Sequence, residues 1–185
     1  MTQVQQHISE LVAHDKRDKK QVGSFYDQAL TIIKDSLSAF FVRYAGETGL
    51  DYQTVSEEAN SWDLNQLENA ITIAMQGMEP TDDLNKRLLA ARATASIDKR
   101  NTLLSIVTAS IAIATAKTQA YGNDLVVSAY ASEHRLVTKK PIRQIPKYIQ
   151  KNADFNSRVW VHGDTSTTAV HDTLNKAVKN TIDNK

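Results

Sequence analysis

The sequence predicts an all-α fold, an elongated helical bundle or hairpin built on one very long helix, and three observations point to it. Apolar residues at Val22, Tyr26, Ala29, Ile33, Leu37, Phe40 and Tyr44 are spaced alternately by four and three, which keeps one helix face apolar for about six turns. A second periodic stretch, Leu64, Leu67, Ile71, Ala74 and Met78, follows it. Residues 81–121 then contain neither glycine nor proline and are rich in Ala, Leu, Ile and Lys, all good helix formers except the β-branched isoleucine.

Taken in order, the first helix continues upstream through Ile8 and Leu11 before meeting Asp15 and Asp18, so that part is expected to be solvated or waiting for a partner. Downstream, Gly46 and Gly49 supply the permissive backbone of a helix end, and Asp51 is placed to cap a short helix carrying Tyr52 and Val55. The bulky groups gathered here, Phe40, Phe41 and Tyr44, are expected to anchor the corner of a helical hairpin, with Phe25, Tyr26 and Trp62 as further packing anchors. Pro80 ends the second periodic stretch, and Thr81 with Asp82 and Asp83 forms the start of the next helix, a cap followed by acids at the positive end of the dipole.

That next helix, if continuous over residues 82–120, is about 57 Å long at 1.5 Å per residue. A compact globule of this chain length is only about 40 Å across, so the molecule is expected to be elongated. One row, Leu104, Val107, Ile111 and Ala114, and a second, Leu103, Ile106, Ala109 and Ile113, lie on different flanks. The first helix is expected to close one flank and a neighbouring subunit the other. After Gly122 the pattern becomes irregular and basic, broken by Pro141 and Pro146, and reads as an extended arm over 122–163 with one short helix near Tyr148. Within it "RVWVH" has the alternation of a very short strand. Asp164 with "TSTT" is placed to cap a last helix over 164–185, bearing Val170, Leu174, Ala177 and Ile182. The expected organisation is therefore a helical region over 1–121, the basic arm, and a C-terminal helix.

Composition narrows the function classes. At 185 residues the chain suits one domain with a real core, and its formal net charge of +1 carries no global signature of nucleic acid or membrane. With no cysteine there are no disulfides, thiolate nucleophiles or cysteine-ligated zinc. The N-terminal residues lack the pattern of a signal peptide, and no apolar run is seen that approaches the ~20 residues of a membrane span, so a soluble protein without a membrane partner is expected. The charge is nevertheless segregated: residues 47–83 hold nine acids and no base, whereas residues 135–160 hold seven bases and one acid, Asp154. Such polarity suits docking on oppositely charged neighbours or on copies of the chain, and equally suits two regions that face each other within one fold.

Candidates for catalysis are sparse. The five histidines, His7, His14, His134, His162 and His171, show no metal-ligand spacing. Glu57 with Glu58 and Asp82 with Asp83 are adjacent pairs that point about 100° apart on a helix, poor geometry for acid and base. There is no phosphate-binding glycine loop and no serine elbow. No enzyme activity, metal or cofactor is expected. A binding role fits the arm better: Lys139, Lys140, Arg143, Lys147 and Lys151, interleaved with Tyr148 and followed by Trp160, suit a phosphate backbone with an aromatic for stacking, though a solvated basic loop has the same composition and Trp62 and Trp160, each beside a helix start or apolar neighbours, read as packing anchors before ligand platforms. The Lys16, Arg17, Lys19, Lys20 cluster is diluted by Asp15 and Asp18.

The segment "FYDQALTIIKDSLSAFFVRYAGETGL" resembles the opening of phage minor head proteins, also called head-morphogenesis proteins and related to the F protein of phage Mu. The features that carry the resemblance are Phe25 with Tyr26, Ile32 with Ile33, the run Phe40 to Ala45, and Gly46 with Gly49. "LNKRLLAARATASIDKRNTLLSIVTASIAIATA" and "FNSRVWVHGDTSTTAVHDTLNKAV" are similar to later parts of that family, whose members usually continue beyond the point where this chain ends at "TIDNK". The resemblance implies a low-copy, non-enzymatic structural protein of the virion head near the portal vertex, made in the bacterial cytoplasm and contacting portal and major capsid subunits, with roles in assembly and DNA delivery. A nucleic-acid-binding module using residues 135–160 is the competing expectation.

Overall fold

Every described element is a helix: α1 (Gln3–Tyr44), α2 (Tyr52–Val55), α3 (Ser61–Ala74), α4 (Asp82–Ala95), α5 (Lys99–Thr138), α6 (Lys147–Lys151) and α7 (Ala153–Asp183). The computed structural model describes residues 3–45, 50 and 52–183. The Gly46 and Gly49 turn and the Asp51 cap expected from the sequence lie outside these residues. The chain is all-α, as the apolar spacings predict.

The axis of the bundle is α5. From Thr102 to Thr118 nearly all of its side chains are buried, enclosed by α1, α3, α4 and α7. The composition of this stretch explains how one helix accepts four neighbours: Ala109, Ser110, Ala112, Ala114, Thr115 and Ala116 are small, so the surrounding backbones approach closely, while Leu103, Ile106, Val107, Ile111 and Ile113 fill the spaces between them. Contrary to the expectation from apolar runs, this helix is long and apolar enough to cross a bilayer by length and composition, yet 72 % of its apolar window is buried against other helices of the chain.

The single helix expected over 82–120 is interrupted at residues 96–98. Asp98 caps α5 by accepting from the Asn101 amide at 2.6 Å, and the Thr102 hydroxyl donates to the Ala95 carbonyl at 2.8 Å, which ties the two helix ends together. The chain reverses there. Leu84, Leu88, Ala91 and Ala95 of α4 join the same core cluster as Leu103, Ile106, Ala109 and Ile113 of α5. The second apolar flank, expected to require a neighbouring subunit, is thus covered from within; an unbroken helix would have left it in water.

A second correction concerns 122–163. Instead of beginning an extended arm, Gly122 lies inside α5, which runs on to Thr138. Gly122 serves close approach: a Cβ there would collide with the ring of Phe155 on α7. Only residues 139–146 and Asn152 interrupt the helices here, with the expected short helix beside Tyr148 present as α6. "RVWVH" is helical, and Asp164 sits within α7 instead of capping it. The alternation that suggested a strand is overridden because Trp160, Gly163, Thr167, Val170 and Leu174 form a helical stripe less exposed than its flanks, with Gly163 fitted directly against Thr115. At 40 residues α5 spans about 60 Å, so the molecule remains elongated.

Phe40 is fully buried, with ring centroids 5.3 Å from Trp62 and 5.8 Å from Tyr44. Phe25 meets Tyr121 edge-on at 6.2 Å, and the Tyr26 hydroxyl lies 3.4 Å from that of Thr115. Phe41 is the exception among the expected anchors. One residue on from Phe40 it is rotated about 100° around α1 and stands 50 % exposed.

Candidate functional site

Three surfaces emerge from this frame. The first is the aromatic corner, where a buried carboxylate organises polar groups. Asp63 accepts from the Tyr44 hydroxyl at 2.7 Å and from the Asn60 amide at 2.8 Å, while Asn60 reciprocally caps α3. The Arg43 guanidinium stacks 4.6 Å from the centre of Trp62. Lys99, itself buried, sits 4.4 Å from the Tyr44 ring centre and pairs with Glu57. These groups satisfy one another and lock the corner, a structural task. Asp63 is not among the residues singled out by the sequence patterns, although Asn60-x-x-Asp63 is a legible capping box; the Lys99–Glu57 pair joins residues 42 apart and has no local signal.

The second surface is the basic tip. Lys139 ends α5 in the left-handed conformation, φ 59°, and Pro141 and Pro146 prevent the helix from resuming until α6. The Lys140 amide bonds the Thr138 hydroxyl at 3.2 Å, and the Gln150 side chain donates to the Ile145 carbonyl at 3.1 Å, which folds the loop against α6. Lys147 and Lys151 lie four residues apart and so share one face of α6. Lys139, Lys140, Arg143, Lys147 and Lys151 are all exposed, and Tyr148 is 71 % exposed. An open groove of 860 Å³ beside them is lined by Tyr130, His134, Thr138, Lys140 and Arg143.

Two members of the expected basic arm are elsewhere. Arg158 pairs with Asp154 one turn away on α7. Trp160 is half-buried against α5, donating to Gln119 at 3.0 Å and covered by Arg87 at 4.3 Å from its ring centre; Arg87 in turn forms a two-pronged pair with Asp164. Glu57, in the acidic run, pairs with the first residue of α5 and Lys139 caps its last turn, so about 60 Å of helix separates these two, whereas Asp83 at the other end of the run lies beside Trp160. Glu68, also in the acidic run, is held by Arg92, whose hydrogen bonds keep its carboxyl below the ordinary range.

The third surface is the N-terminal half of α1. The stripe that is buried at Ala29, Ile33 and Phe40 continues uncovered at Ile8 and Leu11, each a little over half exposed, with Val12 beside them. Of the two acids on this face, Asp15 and Asp18, the second is explained by Tyr121, whose hydroxyl donates to it at 2.8 Å; that bond raises the phenol above its usual value. His171 bonds the Leu104 carbonyl at 2.9 Å and the Thr108 hydroxyl at 3.1 Å, an α5–α7 clasp. Among the described residues no group of three His, Asp or Glu is placed to hold a metal ion.

By fold and surface the molecule is an all-α helical bundle with an axial helix, an uncovered helical stripe and a cationic end. Comparison of the chain with family models, curated proteins and solved structures finds no match.

Proposed function

We propose that this chain is a non-enzymatic structural protein of a tailed-phage head, a minor capsid protein that acts in head assembly near the portal by docking its helical surfaces on portal or major capsid subunits. One observation carries the reading: the apolar face of α1, covered by α5 and α3 over its C-terminal half, resumes beyond Asp18 and Asp15 at Leu11 and Ile8, which stand exposed. An exposed amphipathic helix segment is a means of engaging another protein. The resemblance of residues 25–50 to the minor head proteins supplies the identity of that protein, and the elongated form agrees with a part seated between larger subunits.

The test is light scattering and co-purification with portal and major capsid subunits. A stoichiometric complex with either is expected, and Ile8→Asp with Leu11→Asp is expected to abolish it while leaving helix content and melting temperature unchanged. A monomer that ignores both subunits, or a complex indifferent to the double substitution, refutes the reading.

A further inference from the structure

We propose that the tip formed by the end of α5, the 139–146 loop and α6 binds the phosphate backbone of duplex DNA end-on, without reading base sequence. The inference goes beyond the assembly reading and does not rest on it.

Charge placement is the first ground. Residues 135–151 hold six bases, Arg135, Lys139, Lys140, Arg143, Lys147 and Lys151, and no acid; with a whole-chain charge of +1, the remainder is net −5. Residues 135–151 are therefore the segment in which unneutralised positive charge is most concentrated. Of the cations outside the tip, Arg87, Arg92, Lys99 and Arg158 each pair with a carboxylate, and the Lys16, Arg17, Lys19, Lys20 cluster is interleaved with Asp15 and Asp18. None of the six tip bases has an ion-pair partner among the described residues. Neutralised cations stabilise a fold, whereas a cluster left exposed and unneutralised carries a field outward, and duplex DNA offers the densest matching charge, about one per 1.7 Å of axis.

Local structure is the second ground. The left-handed cap at Lys139, the two prolines and the Gln150 bond to Ile145 hold the bases on a defined turn. The 860 Å³ groove beside Lys140 and Arg143 is open, which suits contact along a broad polyanion better than enclosure of one small anion. Single strands are bound by rows of exposed aromatics on which bases stack. Here Tyr148 stands alone: Tyr130 is half-buried with its ring 6.4 Å from His134, and Trp160 is committed to Gln119 and Arg87. Duplex backbone is the ligand that these groups fit.

The full chain is titrated, without any partner protein, into labelled duplexes of two unrelated sequences, and anisotropy is followed across a salt series. Expected are equal affinities for both sequences, with Kd about 10⁻⁶ to 10⁻⁴ M at physiological salt, and a slope of log K against log salt of about −4.5 to −5.4 if five or six phosphates are neutralised. Replacing Lys139, Lys140, Arg143, Lys147 and Lys151 by Ala flattens that slope by about 0.9 for each phosphate no longer neutralised. Circular dichroism checks that the variant is folded. Tyr148→Ala is expected to leave duplex binding unaltered. The proposal is overturned if the native chain does not bind duplex at low salt, if the five-fold variant keeps the native slope, if a single-stranded homopolymer binds more tightly in a Tyr148-dependent way, or if polyglutamate competes as well as DNA at equal charge, which would mark an acidic protein as the ligand.

Discussion

The close seating of α7 on α5 makes a sharp prediction from two glycines that occupy the same kind of position. Gly23 in α1 and Gly163 in α7 are both in helix interiors, where Ala is intrinsically favoured over Gly by about 1 kcal/mol. At Gly23 a Cβ would have nothing within 4 Å. At Gly163 it would collide with the hydroxyl and methyl of Thr115, and Thr115 has little freedom to yield: it is fully buried, its hydroxyl donates to the Ile111 carbonyl at 2.8 Å, and its branched side chain is stiff. Forcing a methyl into that space separates two packed helices at about 1–3 kcal/mol. Because the propensity gain is common to both sites, the difference between Gly23→Ala and Gly163→Ala isolates the packing cost. Gly23→Ala is expected to raise the melting temperature by about 2–4 °C, and Gly163→Ala to melt about 2–12 °C below Gly23→Ala. Adding Thr115→Ala to Gly163→Ala should narrow the gap non-additively, since the two side chains compete for one space. Thermal denaturation followed by circular dichroism reads the native chain, Gly23→Ala, Gly163→Ala, Thr115→Ala and the double variant. If the two single variants agree within about 0.5 kcal/mol, α7 does not lie on α5 as described and the reasoning fails.

Two further outcomes follow from the corner and the acidic run. Phe40→Ala, which empties a fully buried aromatic site, is expected to cost about 3–5 kcal/mol in chemical denaturation, while Phe41→Ala, half in water, costs less than about 1 kcal/mol; equal losses would refute the assignment of inner and outer faces. Glu68 has its carboxyl held below the ordinary value by Arg92, so its contribution is fully present above the unfolded glutamate value of about 4.3 and disappears as pH falls through the lowered folded one. Glu68→Gln is therefore expected to cost about 0.5 kcal/mol at neutral pH, as befits a half-exposed pair, and progressively less as the pH is lowered through the folded value; a penalty independent of pH would show that the charge is irrelevant.

Much of this fold is legible in the sequence because helix formation and amphipathicity are local. The alternating spacings from Val22 to Tyr44 identify the face of α1 that Phe40 buries, and Thr81 caps α4 as its position predicts, accepting from the Leu84 amide at 3.3 Å. The five lysines and arginines of the tip, with Tyr148, are identifiable from composition, and they remain together in the structure. Trp160 and Arg158 fall in the same basic stretch of sequence, but each is engaged elsewhere, with Gln119 and Asp154. The apolar neighbours Val159 and Val161 already point Trp160 toward packing, whereas its partners Gln119 and Arg87 are too far away in sequence to be read.

The sequence by itself determined that the chain is helical, where its apolar stripes run, and that its positive charge is concentrated near residues 135–151, since each depends on the identity and spacing of neighbours along the chain. The tertiary structure decided where helices break and what covers them. Residues 96–98 reverse without glycine or proline because α4 gains by burying Leu84 and Leu88 against α5, and Gly122 stays helical because Phe155 needs the space its missing side chain leaves. Those choices are settled by packing between residues far apart in sequence, whose free energies outweigh the propensity of any single residue.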